Sequence, residues 1–200
     1  MKAIAAISSL LLLGAATAQE IQSKPFYLVI QSANKTLNGE KLAACHSGAA
    51  IESLCLAGSS SQFNLNTTTG EESPIKGQAP AGTLVWKLPY SENGETAYES
   101  EPMSFYNDPS TNVAMPIFEP SYNMQQVMFD EQNRMGIYSY LDDTVTPPTG
   151  GTPKILRNWY VCETYYTGYT YTTLNWVMGD ATAKPQNPSC VKVQVERSFV

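Results

Sequence analysis

Only one histidine, His46, occurs in the 200 residues, and no two cysteines stand in a C-x-x-C spacing. Zinc sites draw on several Cys or His ligands and serine-type triads need an imidazole, so every such arrangement here would have to run through His46. Lys and Arg number 12 against 18 Asp and Glu, a net charge of −6, and the cations are scattered. A chain without a basic cluster cannot neutralise a run of phosphates, which removes nucleic acid as an expected partner. Past the first twenty residues no apolar run approaches the roughly 20 residues that a membrane helix needs. The segment Val191 to Val200 carries Lys192, Glu196 and Arg197, the wrong composition for an integral membrane anchor or a lipid-anchor tail. Long stretches at helical period are also missing, which argues against a helical domain.

What is present begins at the N-terminus. Met1-Lys2 leads into an apolar run through Leu10-Leu11-Leu12-Leu13, ended by Ala16-Thr17-Ala18. One positive charge, a short hydrophobic stretch and small residues at the A-x-A positions are the marks of a secretory signal peptide over residues 1–18, cleaved after Ala18. The expected product is an extracellular protein, a single β-rich domain over residues 19–200. Loss of Lys2 takes its charge from −6 to −7. Its size of roughly 180 residues suffices to bury about 70% of the unfolded chain's surface.

Four cysteines, Cys45, Cys55, Cys162 and Cys190, are an even number in an exported chain and read as two disulfides. Three connectivities are open. Local pairing, Cys45–Cys55 and Cys162–Cys190, needs no knowledge of the fold, and the chain-entropy argument gives roughly 3 and 3.5 kcal/mol for these loops. Two sequons, Asn34-Lys35-Thr36 and Asn66-Thr67-Thr68, are expected at the surface and, in a eukaryotic host, as glycan acceptors. The proline in Asn187-Pro188-Ser189 disqualifies a third.

Period-two patterning dominates. Val191 to Glu196 places three valines on one face and three polar residues on the other, the pattern of a half-buried strand. Trp159–Tyr166 and Tyr169–Met178, rich in Tyr, Thr, Val and Trp, flank Thr167-Gly168 as a hairpin. Further strands are expected at Phe26–Gln31, Thr83–Leu88, Pro102–Tyr106, Val113–Phe118, Gln126–Phe129 and Met135–Leu141. Turn residues such as Asn38-Gly39, Asn93-Gly94 and Asp130 to Asn133 separate them. The fold class this implies is an all-β antiparallel sandwich or barrel. Ser47 to Leu56 reads as one short helix or as a hairpin bend, and residues 57–81 and 144–153 read as mobile loops.

Chemistry has few candidates. His46 adjoins Cys45, but neighbouring side chains on a strand diverge, so a structural role beside a disulfide is expected rather than catalysis. The carboxylate pairs Asp130-Glu131 and Asp142-Asp143 are read as turn formers; the competing readings are hydrolytic acids and, for Asp142-Asp143, a calcium site. No catalytic residue, cofactor or metal site is therefore assigned. Twelve tyrosines and three tryptophans remain, concentrated in the Trp159 hairpin. Tyr169 and Tyr171 share one face, with Trp176 on the other; Tyr169, Tyr171 and Trp176 are the candidate ligand-binding residues, able to stack on carbohydrate, a cell-wall polymer or a small apolar ligand.

The run Leu37-Asn38-Gly39-Glu40-Lys41-Leu42, followed by Ala44-Cys45-His46-Ser47-Gly48 through Cys55-Leu56, resembles an uncharacterised family of small secreted proteins of filamentous ascomycete fungi. Ser110 to Pro116, Tyr140 to Thr144, Trp159-Tyr160-Val161-Cys162 and Lys184 to Val193 are further blocks of the same pattern. The resemblance implies a fungal extracellular source, one β-rich domain and the four-cysteine framework. It supplies no catalytic residue. The expected function is binding at the cell wall, in the medium or at a host surface, without enzymatic activity. A polysaccharide hydrolase or lyase using paired carboxylates is the alternative.

Overall fold

The computed structural model describes residues 19–200, so the signal peptide expected over residues 1–18 lies outside the described residues. Among them there is no helix, and the strands form a curled antiparallel half-barrel sheet held by two disulfides. The strands are β1 (Glu20–Gln22), β2 (Phe26–Gln31), β3 (Ala43–Gly48), β4 (Ile51–Cys55), β5 (Asn64–Thr68), β6 (Gly82–Glu92), β7 (Glu95–Tyr106) and β8 (Val113–Phe118). They continue as β9 (Gln126–Phe129), β10 (Met135–Asp142), β11 (Thr149–Leu156), β12 (Trp159–Tyr166), β13 (Tyr169–Val177), β14 (Val191–Lys192) and β15 (Gln194–Phe199). The main sheet runs in the order β11-β10-β9-β6-β7-β8-β4-β13-β12-β14, with β5 and β1 continuing from β6 and β3 from β4. A separate ribbon pairs β2 with β15.

Alternation sets the core. On β2, Phe26, Leu28 and Ile30 are fully buried while Tyr27, Val29 and Gln31 are only half-buried. These inward residues join Leu84, Met103, Phe118, Trp159, Leu174 and Trp176 from the main sheet, and Phe63 just before β5, in one cluster. The ribbon therefore supplies the second wall of the core that a single curled sheet cannot close by itself. Trp159, the largest fully buried side chain, keeps its polar end satisfied by donating Nε1–H to the Met135 carbonyl at 2.9 Å.

The expected hairpins are present, with tight turns at Asn93-Gly94 (φ +53° and +85°) and Thr167-Gly168 (φ +48° and +95°). Of the two readings of Ser47 to Leu56, the structure takes the bend: β3 and β4 form a hairpin closed by Cys45–Cys55. Cys162–Cys190 ties β12 to the segment leading into β14. The local pairing of all four cysteines is thus realised.

Three expectations need correction. Val191 to Glu196 is not one strand: it divides at Val193, whose N–H donates to the Trp159 carbonyl, so that β14 pairs with β12 and β15 with β2. Residues 57–81 contain β5, and residues 144–153 lead into β11. β11 is an edge strand, solvent-exposed along most of its length, so it has no buried face to impose alternation on its sequence.

Close backbone approach explains one glycine on β10. A Cβ at Gly136 would meet Ile155 Cγ2 and lie 2.6 Å from the Leu156 carbonyl oxygen, a clash that backbone can relieve only by moving β11. Gly136→Ala is expected to lower stability by about 1–3 kcal/mol, measured by urea denaturation; an unchanged midpoint would refute this packing argument.

Candidate functional site

The acidic pairs visible in the sequence do not converge. Asp130 sits in the β9–β10 turn and Asp142 at the far end of β10. Asp130 Oδ1 accepts from the N–H groups of Gln132 (3.0 Å) and Arg134 (2.9 Å), while Oδ2 accepts from Arg134 Nε (2.8 Å) and Arg157 Nη2 (2.6 Å). Burial pushes its pKa up, but the hydrogen bonds from Arg134 and the charges of Arg157 and Arg134 outweigh it and hold the carboxyl below its ordinary range. With its lone pairs occupied, Asp130 is a turn clamp; Glu131 beside it is exposed. Asp142 accepts from the N–H and hydroxyl of Thr144, and with Asp143 and Asp180 it lines a cleft that also holds Lys154. Among the described residues no group of three or more His, Cys, Asp and Glu side chains is arranged to hold a metal ion.

His46 lies on β3 beside the disulfide-bonded Cys45. Its side chain is largely exposed and faces Glu52, directly opposite on β4, with Nδ1 3.9 Å from Oε1. Glu52 in turn leads to a pair that sequence reasoning missed. Glu52 and Met103 are both register partners of Phe118 on β8, and Glu101, two residues before Met103, points to the same face. Glu101 is fully buried, Glu52 nearly so, and neither Glu101 oxygen nor Glu52 Oε2 finds a donor elsewhere in the protein. Burial pushes the Glu101 pKa to about 8, helped by the neighbouring Glu52 carboxyl and by the negative charges of Glu99 and Glu119. Glu101 therefore retains its proton at neutral pH.

A protonated acid beside a carboxylate is the kind of pair that performs acid–base chemistry. Neither residue, however, lines any of the five main surface clefts. In this conformation the pair couples the stability of the fold to pH. The stability it carries is complete below the ordinary carboxylate range and lost as pH rises through about 8, because the unfolded state releases the proton first. Melting temperature is expected to fall between pH 5 and 8 in the wild type and to fall less in Glu101→Gln, whose amide mimics the protonated acid. Parallel pH profiles for the two proteins would show that Glu101 does not retain its proton.

The face of the β12–β13 hairpin opposite the core is lined with tyrosine. Tyr166 lies directly opposite Tyr169 and Thr164 opposite Tyr171. Tyr106 of β7 meets Tyr166 edge to face at 4.9 Å, and Tyr169 meets Tyr171 at 6.4 Å. Tyr106, Tyr165 and Tyr166 line a cleft of about 680 Å³ with Asp108, Ser110 and Asn187. Asp108 is held as a carboxylate by the hydroxyl and N–H of Ser110 and by Tyr106. Burial, then the charges around it, keeps the Tyr166 phenol protonated and able to donate. Of the three aromatic residues expected to bind ligand, Tyr169 is exposed, Tyr171 is half-buried, and both adjoin this cleft. Trp176 is excluded. It is buried against Trp159, with ring centroids 4.8 Å apart, and stacks on Phe105.

The sequons differ in setting. Asn34 is exposed, its Oδ1 accepting from the N–H (3.0 Å) and hydroxyl (2.8 Å) of Thr36. Asn66 lies within β5, where its Oδ1 accepts from Gln22 Nε2 and its Nδ2 donates to Glu20.

The molecule is thus a disulfide-stapled, all-β protein with an aromatic–acidic cleft. Its chain belongs to a family described as a domain of unknown function (DUF7907), matched over residues 23–199. No curated protein and no solved structure matches it.

Proposed function

We propose that this is a secreted, non-enzymatic binding protein of fungal origin that recognises carbohydrate of a cell wall or host surface through the Tyr106–Tyr166 cleft. The observation that carries the reading is the combination of clustered tyrosine rings with a fixed carboxylate. A sugar ring offers apolar C–H faces to aromatic rings and hydroxyls to polar acceptors, and the cleft provides both: Tyr106, Tyr165 and Tyr166 beside Asp108, Ser110 and Asn187. The Asp108 carboxylate in the lining disfavours the like-charged head of a fatty acid. Two disulfides and the absence of any helix long and apolar enough to cross a membrane among the described residues support an extracellular location.

Calorimetric titration with soluble β-glucan, chitin and xylan oligosaccharides is expected to give saturable binding to one of them. Tyr166→Ala is expected to weaken it by about tenfold, the equivalent of one aromatic contact. Flat titrations for all three, or full binding by the variant, would sink the proposal. The hydrolase or lyase alternative now rests on Glu52 and Glu101, and reducing-end release or new unsaturated ends during the same titrations would favour it.

Passage through a eukaryotic secretory pathway would place N-linked glycan at Asn34 and Asn66. Asn34, with its exposed amide, is expected to carry the larger occupancy. Intact mass before and after enzymatic deglycosylation checks this: Asn34→Gln should remove most of the difference, and an unaffected difference would assign the glycan elsewhere.

A further inference from the structure

Although the chain as a whole is acidic, one cleft is not. It has a volume of about 700 Å³, opens between the β2–β15 ribbon and the β11–β12 connection, and is lined by Arg157 and Lys192 without any Asp or Glu. We propose that this cleft binds a small oxyanionic group, a carboxylate or a phosphate.

The charge balance around the cleft is positive. Asp130 is one carboxylate shared by two guanidiniums, those of Arg134 and Arg157. One positive charge is left over, and Arg157 Nε is buried without an acceptor. Lys192 takes part in none of the ion pairs among the described residues. Its ammonium lies 4.6 Å from the centroid of the Tyr160 ring, and burial draws its pKa below the ordinary lysine value. A cation without a counter-ion gains from an arriving anion the interaction that a paired lysine already has.

Neutral donors complete the cleft. Gln31 and Gln194 are direct register partners, so their amides lie side by side in its lining. Asn38 uses its Oδ1 to accept the Ser32 N–H, which leaves its amide N–H groups free. The nearby acids are committed elsewhere or set apart: Asp180 accepts from the N–H and hydroxyl of Thr182 and lines the Lys154 cleft, while Glu196 lies two residues beyond Gln194 on β15. Two cations and several amide donors around a concave site fit an oxyanion's several lone pairs.

Isothermal titration calorimetry with inorganic phosphate and with galacturonate, at constant ionic strength and with neutral galactose as control, tests the proposal. Saturable heat with phosphate alone assigns a phosphate ligand, and with galacturonate alone a sugar carboxylate; either supports the site. Lys192 is exposed, so Lys192→Gln is expected to fold with an unchanged circular dichroism spectrum and to lose affinity by about tenfold, the usual scale for one charge-assisted hydrogen bond. Gln31→Ala, which keeps both cations, is expected to lose less. Absence of binding by both anions, equal binding of galactose, or full affinity in Lys192→Gln would overturn it.

Discussion

The main sheet branches at β8, and satisfying buried backbone at that branch is the constraint around which the rest of the structure is arranged. One edge of β8 pairs with β7; the other pairs first with β13, through Val113 and Ala114, and then with β4, through Ile117 and Phe118. Two strands leaving one edge in succession strand polar groups between them, and an unpaired buried N–H or C=O costs about as much as a lost hydrogen bond. Asn175 and Thr173, both fully buried, occupy that gap. The Thr173 hydroxyl lies 2.9 Å from that of Thr164 and 2.8 Å from the Asn175 amide, whose orientation is settled by these partners. The branch therefore carries a polar core inside an otherwise apolar sheet.

Both candidate sites descend from this branch. Thr164 belongs to its polar network and also lines the tyrosine cleft, so the floor of that cleft is fixed by buried hydrogen bonds rather than by a loop. On the other side of β8, Phe118 separates Glu52 from Met103, which sets the two carboxyls on one face at the margin of the core. A pair of acids so placed costs desolvation energy, and a protonated Glu101 lowers that cost.

The legibility of the sequence followed burial. Strands with one face in the core, such as Phe26–Gln31, Val113–Phe118 and Trp159–Tyr166, announce themselves by alternation because only one face is wet. β11 is wet on both faces and contains Gly150, Gly151 and Pro153, so alternation and propensity both fail there. Period two also separates the faces of β13 without saying which is core. Tyr171 and Trp176 were distinguishable as opposite in parity, but only the Trp159–Trp176 contact shows that the tryptophan's side is inside. Glu52 and Glu101 are 49 positions apart, and what joins them is pairing through β8. Their one local mark was a carboxylate in an inward register, Glu101 with Met103 and Phe105, and Glu52 with Leu54.

β12 connects the two proposed binding sites. Tyr160, whose ring Lys192 overlies, and Tyr166, which walls the tyrosine cleft, are six residues apart and so face the same side of the strand. At a rise of about 3.3 Å per residue they are roughly 20 Å apart, farther than one sugar ring reaches. Small ligands would therefore occupy the two clefts independently, while an extended acidic polysaccharide would meet both along one face. In that second case the cationic cleft would confer charge preference on an aromatic site that is neutral to sugar charge except at Asp108, whose carboxylate repels acidic residues locally. The two sites are thus opposite in sign, and any single ligand bridging them must carry its anionic group at the Lys192 end.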